Sequence, residues 1–280
     1  MKPVFCIVFI SPNGSTAQVA QTLTECLKQG GAEVMLADLA GPEAVGAAVE
    51  KATARQDTVL IVGSPVYRDV AVPPVAAFID RLPPAQGGRA VPFVTYGRAC
   101  SGVALWQMAG CLQAKGYRIS GAAKVAAVHS MMWQSAHPAG EGHPDDEDLA
   151  QMRRLADRLL KDVCDDRSGF LDLDELDYQP DELGREFKAK IGRPWVIVPK
   201  TVNQGACTAC GLCAAQCPAG AIALNPTPAF GDACFDCFNC IRLCPENAIA
   251  PAVPMARIEA MIRERVAKID EQPLTRVFLP

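Results

Sequence analysis

The sequence holds no apolar run of the about 18–20 residues that a membrane helix needs; its longest such stretch near the start, Val4 to Ile10, falls far short. It has no basic tract. Its 27 Lys and Arg stand against 31 Asp and Glu, a net charge of −4, which argues against binding along a nucleic-acid backbone. Neither Gly-x-Gly-x-x-Gly nor Gly-x4-Gly-Lys-Ser/Thr occurs, so the dinucleotide fingerprint and the P-loop are both missing. Histidine is scarce, with His129, His137 and His143 the only three. The start lacks the basic, apolar, small-residue order of an export signal and reads as a buried strand. A cytoplasmic chain is expected, and its 13 cysteines then point to metal binding or redox chemistry rather than to disulfides.

Half of the residues are hydrophobic, enough for a packed core, and 280 residues predict two domains or one with an appended module. Up to about residue 130, short Val/Ile-rich runs alternate with Ala-rich stretches of helical length, the pattern of parallel strands joined by crossover helices. The expected strands are 3–10, 32–39, 58–63, 91–96 and 117–128, with helices near 15–29, 43–54, 73–81 and 103–115. Leu149, Met152, Leu155, Leu159 and Val163 then recur at helical spacing, as do Ile258, Met261, Ile262, Val266 and Ile269 near the end. The segment 165–199 reads as a connector without a legible fold.

The strongest signal is Cys207-x2-Cys210-x2-Cys213-x3-Cys217-Pro218, repeated as Cys234-x2-Cys237-x2-Cys240-x3-Cys244-Pro245. This is the bacterial ferredoxin spacing, in which the fourth cysteine of each run serves the other cluster. One 4Fe-4S cluster is then expected on Cys207, Cys210, Cys213 and Cys244, and a second on Cys234, Cys237, Cys240 and Cys217. Zinc ribbons use paired knuckles instead of three equally spaced cysteines followed by Cys-Pro. Among the other cysteines, Cys6, Cys26, Cys111 and Cys164 are expected to pack as small hydrophobes. Cys100 lies in a loop at the ligand-binding edge of the sheet, with an ordinary loop position as the alternative.

Ser11-Pro12-Asn13-Gly14-Ser15-Thr16 follows a strand and opens a helix, so its amides and hydroxyls converge at a positive helix end that suits a monophosphate. An ordinary helix cap is the alternative. At the same sheet edge, Pro65, Val66 and Tyr67 after the third strand and Tyr96, Gly97, Arg98 and Cys100 after the fourth offer aromatic faces and backbone groups to an isoalloxazine ring. FMN is the expected ligand of Ser11, Asn13, Gly14, Ser15 and Thr16 together with those residues.

These motifs, with His129-Ser130 and a C-terminal helix, make the chain resemble the flavodoxin-plus-ferredoxin fusion family over nearly all its length. Asn13 stands where flavodoxins usually carry a hydroxyl residue. The resemblance implies an α/β fold: a flavodoxin-like doubly wound five-stranded parallel sheet plus a small α+β two-cluster bacterial ferredoxin domain. The expected boundaries are 1–165 for FMN binding, 166–199 as connector, 200–252 for the clusters and 253–280 as helix and tail. The implied function is an electron carrier or relay between FMN and two 4Fe-4S clusters, serving a redox protein partner or a small electron acceptor. The alternative is a reductase of a small organic substrate or quinone fed by its own clusters, and a redox-responsive binding module ranks last. His129 is the candidate proton donor, with a domain-contact loop as its alternative. A homodimer is one arrangement that would supply a flavin-to-cluster contact if the distance within one chain were too long.

Overall fold

The computed structural model describes residues 2–164 and 169–280, so the expected boundary at residue 165 lies outside the described residues. The first half alternates β1 (Val4–Phe9), α1 (Ser15–Gln29), β2 (Glu33–Asp38), α2 (Ala44–Thr53), β3 (Thr58–Tyr67), β4 (Val70–Ala71), α3 (Pro73–Arg81), β5 (Arg89–Tyr96), α4 (Ala104–Ala114), β6 (Arg118–Ile119), β7 (Ala122–Ala126) and α5 (Asp146–Cys164). The second half carries α6 (Asp181–Lys188), β8 (Lys200–Val202), α7 (Leu212–Ala215), β9 (Ile222–Asn225), β10 (Thr227–Phe230), α8 (Asn239–Arg242), β11 (Ile249–Pro251), α9 (Met255–Ile269) and β12 (Arg276–Phe278).

The main sheet runs β12-β7-β5-β3-β1-β2. Strands β2, β1, β3, β5 and β7 are mutually parallel, in the flavodoxin-like order that places ligands where the winding reverses, beside β1 and β3. Alternation along each strand builds two cores. Phe5, Ile7, Val59, Ile61, Val91 and Phe93 face α1 and α5, while Cys6, Val8, Leu60, Val62 and Val94 face the layer of α2, α3 and α4. Each of these fully buried large side chains contributes about 1.5–3 kcal/mol of transfer free energy. Cys6 packs as expected, and burial pushes its thiol up to about 11.

Four expectations change. The third strand continues to Tyr67 instead of ending in a loop at Gly63, and pairs back with β4 through Arg68 and Asp69, both at positive φ. The fifth strand is two pieces, β6 and β7. β12 pairs antiparallel with β7 and adds a strand beyond the expected five. Cys111 is exposed, since the inward stripe of α4 is Leu105, Met108, Ala109 and Leu112, one position away. Cys26 is half-buried, and the side chain of Cys164 lies outside the described residues.

The stretch before the cysteines packs onto the sheet half. Phe187 of α6 is buried with Val70, Cys100 and Val103, and Tyr178 stacks on Phe278 of β12 at 5.3 Å. The cysteine-rich segment itself holds two small antiparallel pairs, β9 with β10 and β8 with β11. Among the described residues, no helix is long and apolar enough to cross a membrane.

Candidate functional site

A cavity of about 530 Å³ opens at the C-terminal edge of the sheet. The first half supplies Asn13 and Ser15 from the loop before α1, Pro65 to Asp69 from the β3–β4 hairpin, and Tyr96, Gly97, Cys100 and His129 from beyond β5 and β7. The other wall comes from the second half: Phe235, Asp236 and Phe238 flank Cys237, and Ile258, Met261, Ile262 and Arg265 project from α9. Of the residues expected at FMN, Asn13, Ser15, Pro65, Val66, Tyr67, Tyr96, Gly97 and Cys100 line the cavity. Ser11, Gly14, Thr16 and Arg98 do not.

Three of those four still shape the site. The Ser11 hydroxyl accepts the Ala17 N–H at 2.9 Å, and the Thr16 hydroxyl shares a buried 2.7 Å hydrogen bond with Thr95 of β5. Gly14 sits at φ +96 without capping α1 through a side chain, and a Cβ built on it would meet nothing within 4 Å. Open space therefore faces the start of α1, where Ser11 takes up one N–H from outside the helix, a cradle that fits a phosphate. Arg98 instead turns to Asp270, 3.3 Å away.

Tyr67 bridges the two halves. Its hydroxyl is 2.8 Å from Ser130 Oγ and its ring meets Phe235 edge-on at 5.7 Å. Burial pushes its phenol above the ordinary range, and the neighbouring Cys237 adds to that. Cys100 is raised to about 12 by burial and by Glu271, so its thiol is neutral. His129 is held down to about 4 by burial. Its Nδ1 accepts the Met131 N–H at 3.3 Å, so the neutral ring carries its proton on Nε2. A neutral imidazole offers that Nε2–H as a hydrogen-bond donor. His137 pairs with exposed Glu141 at 3.3 Å, and His143 joins the start of α5, where Asp145 accepts the Glu147 and Asp148 N–H groups.

No disulfide joins the cysteines described. Cys207, Cys210, Cys213 and Cys244 line one small recess. Cys217 stands apart from its own run: burial raises Cys237 and Cys240 to about 12, and the charges of Cys217 and Cys234 act on both. The first expected set thus shares one recess, and Cys237 and Cys240 lie within electrostatic reach of Cys217 and Cys234. Backbone N–H groups already point at sulfur, Ala221 to Cys217 and Ala248 to Cys244, each at 3.3 Å.

Several neighbours were not legible as site residues. Lys200, 1% exposed, pairs with buried Asp236 at 2.7 Å and lies 3.6 Å from Cys234 Sγ. Burial works against the Lys200 charge, but the Asp236 hydrogen bond together with the charges of Asp236, Cys234 and Cys240 outweighs it and the pKa is raised. Buried Asp69 pairs with Lys190 at 2.6 Å and with Arg265 of α9. Asn239 and Arg242 of α8 both donate to the Pro12 carbonyl, at 2.8 and 3.2 Å. Each pairing joins residues far apart in the chain, and only the position of Asn239 and Arg242 inside the second cysteine run hinted at them.

A family model described as a 4Fe-4S binding domain matches residues 200–223. No curated protein matches the chain. Among solved structures, rubredoxin oxygen:oxidoreductase from the anaerobe Desulfovibrio gigas is 21% identical over 59% of this chain, with a TM-score of 0.45. This chain spans 37% of the length of that enzyme. A flavodoxin from the domain Archaea is 18% identical over 57% of this chain and 99% of its own, with a TM-score of 0.45. An NADH:FMN oxidoreductase in its apo form is 22% identical over 56% of this chain and 89% of its own, with a TM-score of 0.43. The chain joins an α/β sheet of flavodoxin-like order to a segment that matches a 4Fe-4S binding domain.

Proposed function

We propose that this protein is an iron–sulfur flavoprotein that relays electrons between FMN in the cavity and two 4Fe-4S clusters. FMN supplies one- and two-electron redox chemistry, and the clusters single-electron chemistry. The observation that carries the reading is the shared wall: Phe235, Asp236 and Phe238 line the cavity on either side of Cys237. The set of Cys217, Cys234, Cys237 and Cys240 is then the inner one, next to Tyr67 and the flavin loops. The set with exposed Cys210 is the outer one, open to a redox protein partner or a small acceptor.

The chain's own residues divide the work. The loop 11–16 with α1 holds the phosphate, and Tyr67, Tyr96 and Phe235 enclose the ring in apolar surface. His129 offers Nε2–H, and Arg265 and Lys190 pair with Asp69 at the cavity wall. In this reading residues 1–165 are the flavin half and 200–252 the cluster half, while the 253–280 tail closes the cavity through α9 and returns to the sheet as β12.

A reductase needs segment 130–143 as a lid over the flavin, whereas a relay needs it against the clusters. Met131 and Trp133 pack with Phe238, Cys240 and Ile241, and Ser130 and Met131 also line the cavity, so the segment meets both sides. The deciding experiment is anaerobic purification with iron, acid-labile sulfide and flavin measured per chain. About eight irons with one FMN is the expected result. About eight irons without flavin would overturn the flavin half of the proposal.

A further inference from the structure

We propose that Asn239 and Arg242, on the single-turn helix that carries Cys240, clamp the phosphate loop through the Pro12 carbonyl and so tie FMN retention to assembly of the inner cluster. The inference rests on the flavin reading above.

Loop 11–16 contains no cation of its own. Its backbone is held from outside by α8. Asn239, 6% exposed, donates Nδ2–H to Pro12 O at 2.8 Å, and Arg242 donates to the same oxygen at 3.2 Å. The Arg242 guanidinium also donates to Asn239 Oδ1 at 3.0 Å, which fixes the orientation of the amide. No ion pair of Arg242 exists among the described residues, so its charge stays available beside the loop. Pro12 has no N–H, and its carbonyl is the one backbone group through which the loop can be gripped at this residue.

The grip is only as firm as α8. A helix of four residues, Asn239–Arg242, does not persist on its own, because nucleation is unfavourable and one turn gains too few hydrogen bonds to offset it. Its cap, Phe238, sits at φ 62, a left-handed conformation that its neighbours must enforce. Cys237 before the helix and Cys240 within it are the anchors that metal binding would lock. Locking α8 positions Asn239 and Arg242, these position Pro12, and Pro12 positions the amides that face a phosphate. By linkage the effect is reciprocal: bound FMN protects the inner cluster.

The test uses the full chain, reconstituted anaerobically with iron and sulfide, stripped of flavin and titrated with FMN and with riboflavin while flavin fluorescence is followed. In Asn239→Ala and Arg242→Gln, FMN affinity is expected to fall about tenfold while iron and sulfide stay at the wild-type level. Riboflavin, which lacks the phosphate, should bind these variants as it binds the wild type, and Arg242→Lys should recover part of the FMN affinity. Unchanged FMN affinity in both variants would overturn the clamp and leave the flavin reading standing. Equal loss of FMN and riboflavin would also overturn it, because a general loss of structure does not single out the phosphate. If neither flavin binds the wild type, the flavin reading falls and the clamp with it. Should the variants lose iron, wild-type chain freed of metal by chelation decides: weaker FMN binding than in the reconstituted chain supports the coupling, and equal binding overturns it.

Discussion

Lys124 on β7 and Glu271 near the end of the chain meet as a buried ion pair, Nζ to Oε1 2.5 Å, across 147 residues of sequence. Ser101 and Gln179 donate to the same carboxylate, so three segments converge on one charge. Glu271→Ala leaves Lys124, 1% exposed, without its partner in the sheet and is expected to cost about 3–5 kcal/mol, read from the urea midpoint. Joint replacement by Lys124→Met and Glu271→Leu should restore most of that. Burial opposes ionisation of Glu271, but Lys124 and the Ser101 donors outweigh it and hold the carboxyl below its ordinary 4.5. Its stabilising effect is complete above that value and is lost as the pH falls through the lower, folded one.

His129 gives stability a second pH dependence. Its pKa of about 4 lies below the ordinary 6.5, so between those values the unfolded chain holds a proton that the folded chain refuses. Stability therefore falls as the pH drops from about 6.5 to about 4, and this group adds no further loss below. His129→Gln should flatten that slope, measured by urea midpoints at pH 7 and pH 5.

Cys217→Ala should remove the inner cluster although the neighbours of Cys217 in sequence belong to the outer one. About four irons per chain in place of about eight is the expected content. Electron paramagnetic resonance of the reduced variant should show one cluster without the splitting that two interacting clusters produce.

Lys200→Met removes the cation beside Cys234 and leaves Asp236, 8% exposed, without its ion-pair partner. A potentiometric titration should find the inner cluster harder to reduce, since less positive charge faces the sulfurs. Apo-chain stability should drop by about 3–5 kcal/mol.

The helices of the sheet half were legible almost to the residue. Ser15–Gln29, Ala44–Thr53, Pro73–Arg81 and Ala104–Ala114 each carry an apolar stripe between clear stops. The cysteine runs were legible because spacing is a local property, and the match to a 4Fe-4S binding domain covers the first of them. The extension of β3 was hidden by Gly63-Ser64-Pro65, which reads as a turn. Pairing with β1 ends at Gly63 while pairing with β5 runs on to Pro65, so the missing N–H of proline falls on an unpaired side. β12 was missed because three residues carry no periodicity, and it exists only through its partner β7. Lys124 looks like a solvent position on a strand, and nothing near it in sequence announces Glu271. The clamp on Pro12 was hidden for the same reason.

The return of the chain to β7 as β12 makes the cysteine-bearing segment a closed ring sewn to the sheet at both ends. Phe187 and Tyr178 anchor its entry, and the β12–β7 pairing with the Glu271 ion pair anchors its exit. A part tethered twice samples fewer arrangements than one on a single linker, and the wall at Phe235 and Phe238 is held toward the cavity from both ends. On the relay reading, that double attachment would keep the inner cysteines at the cavity wall and leave exposed Cys210 facing outward.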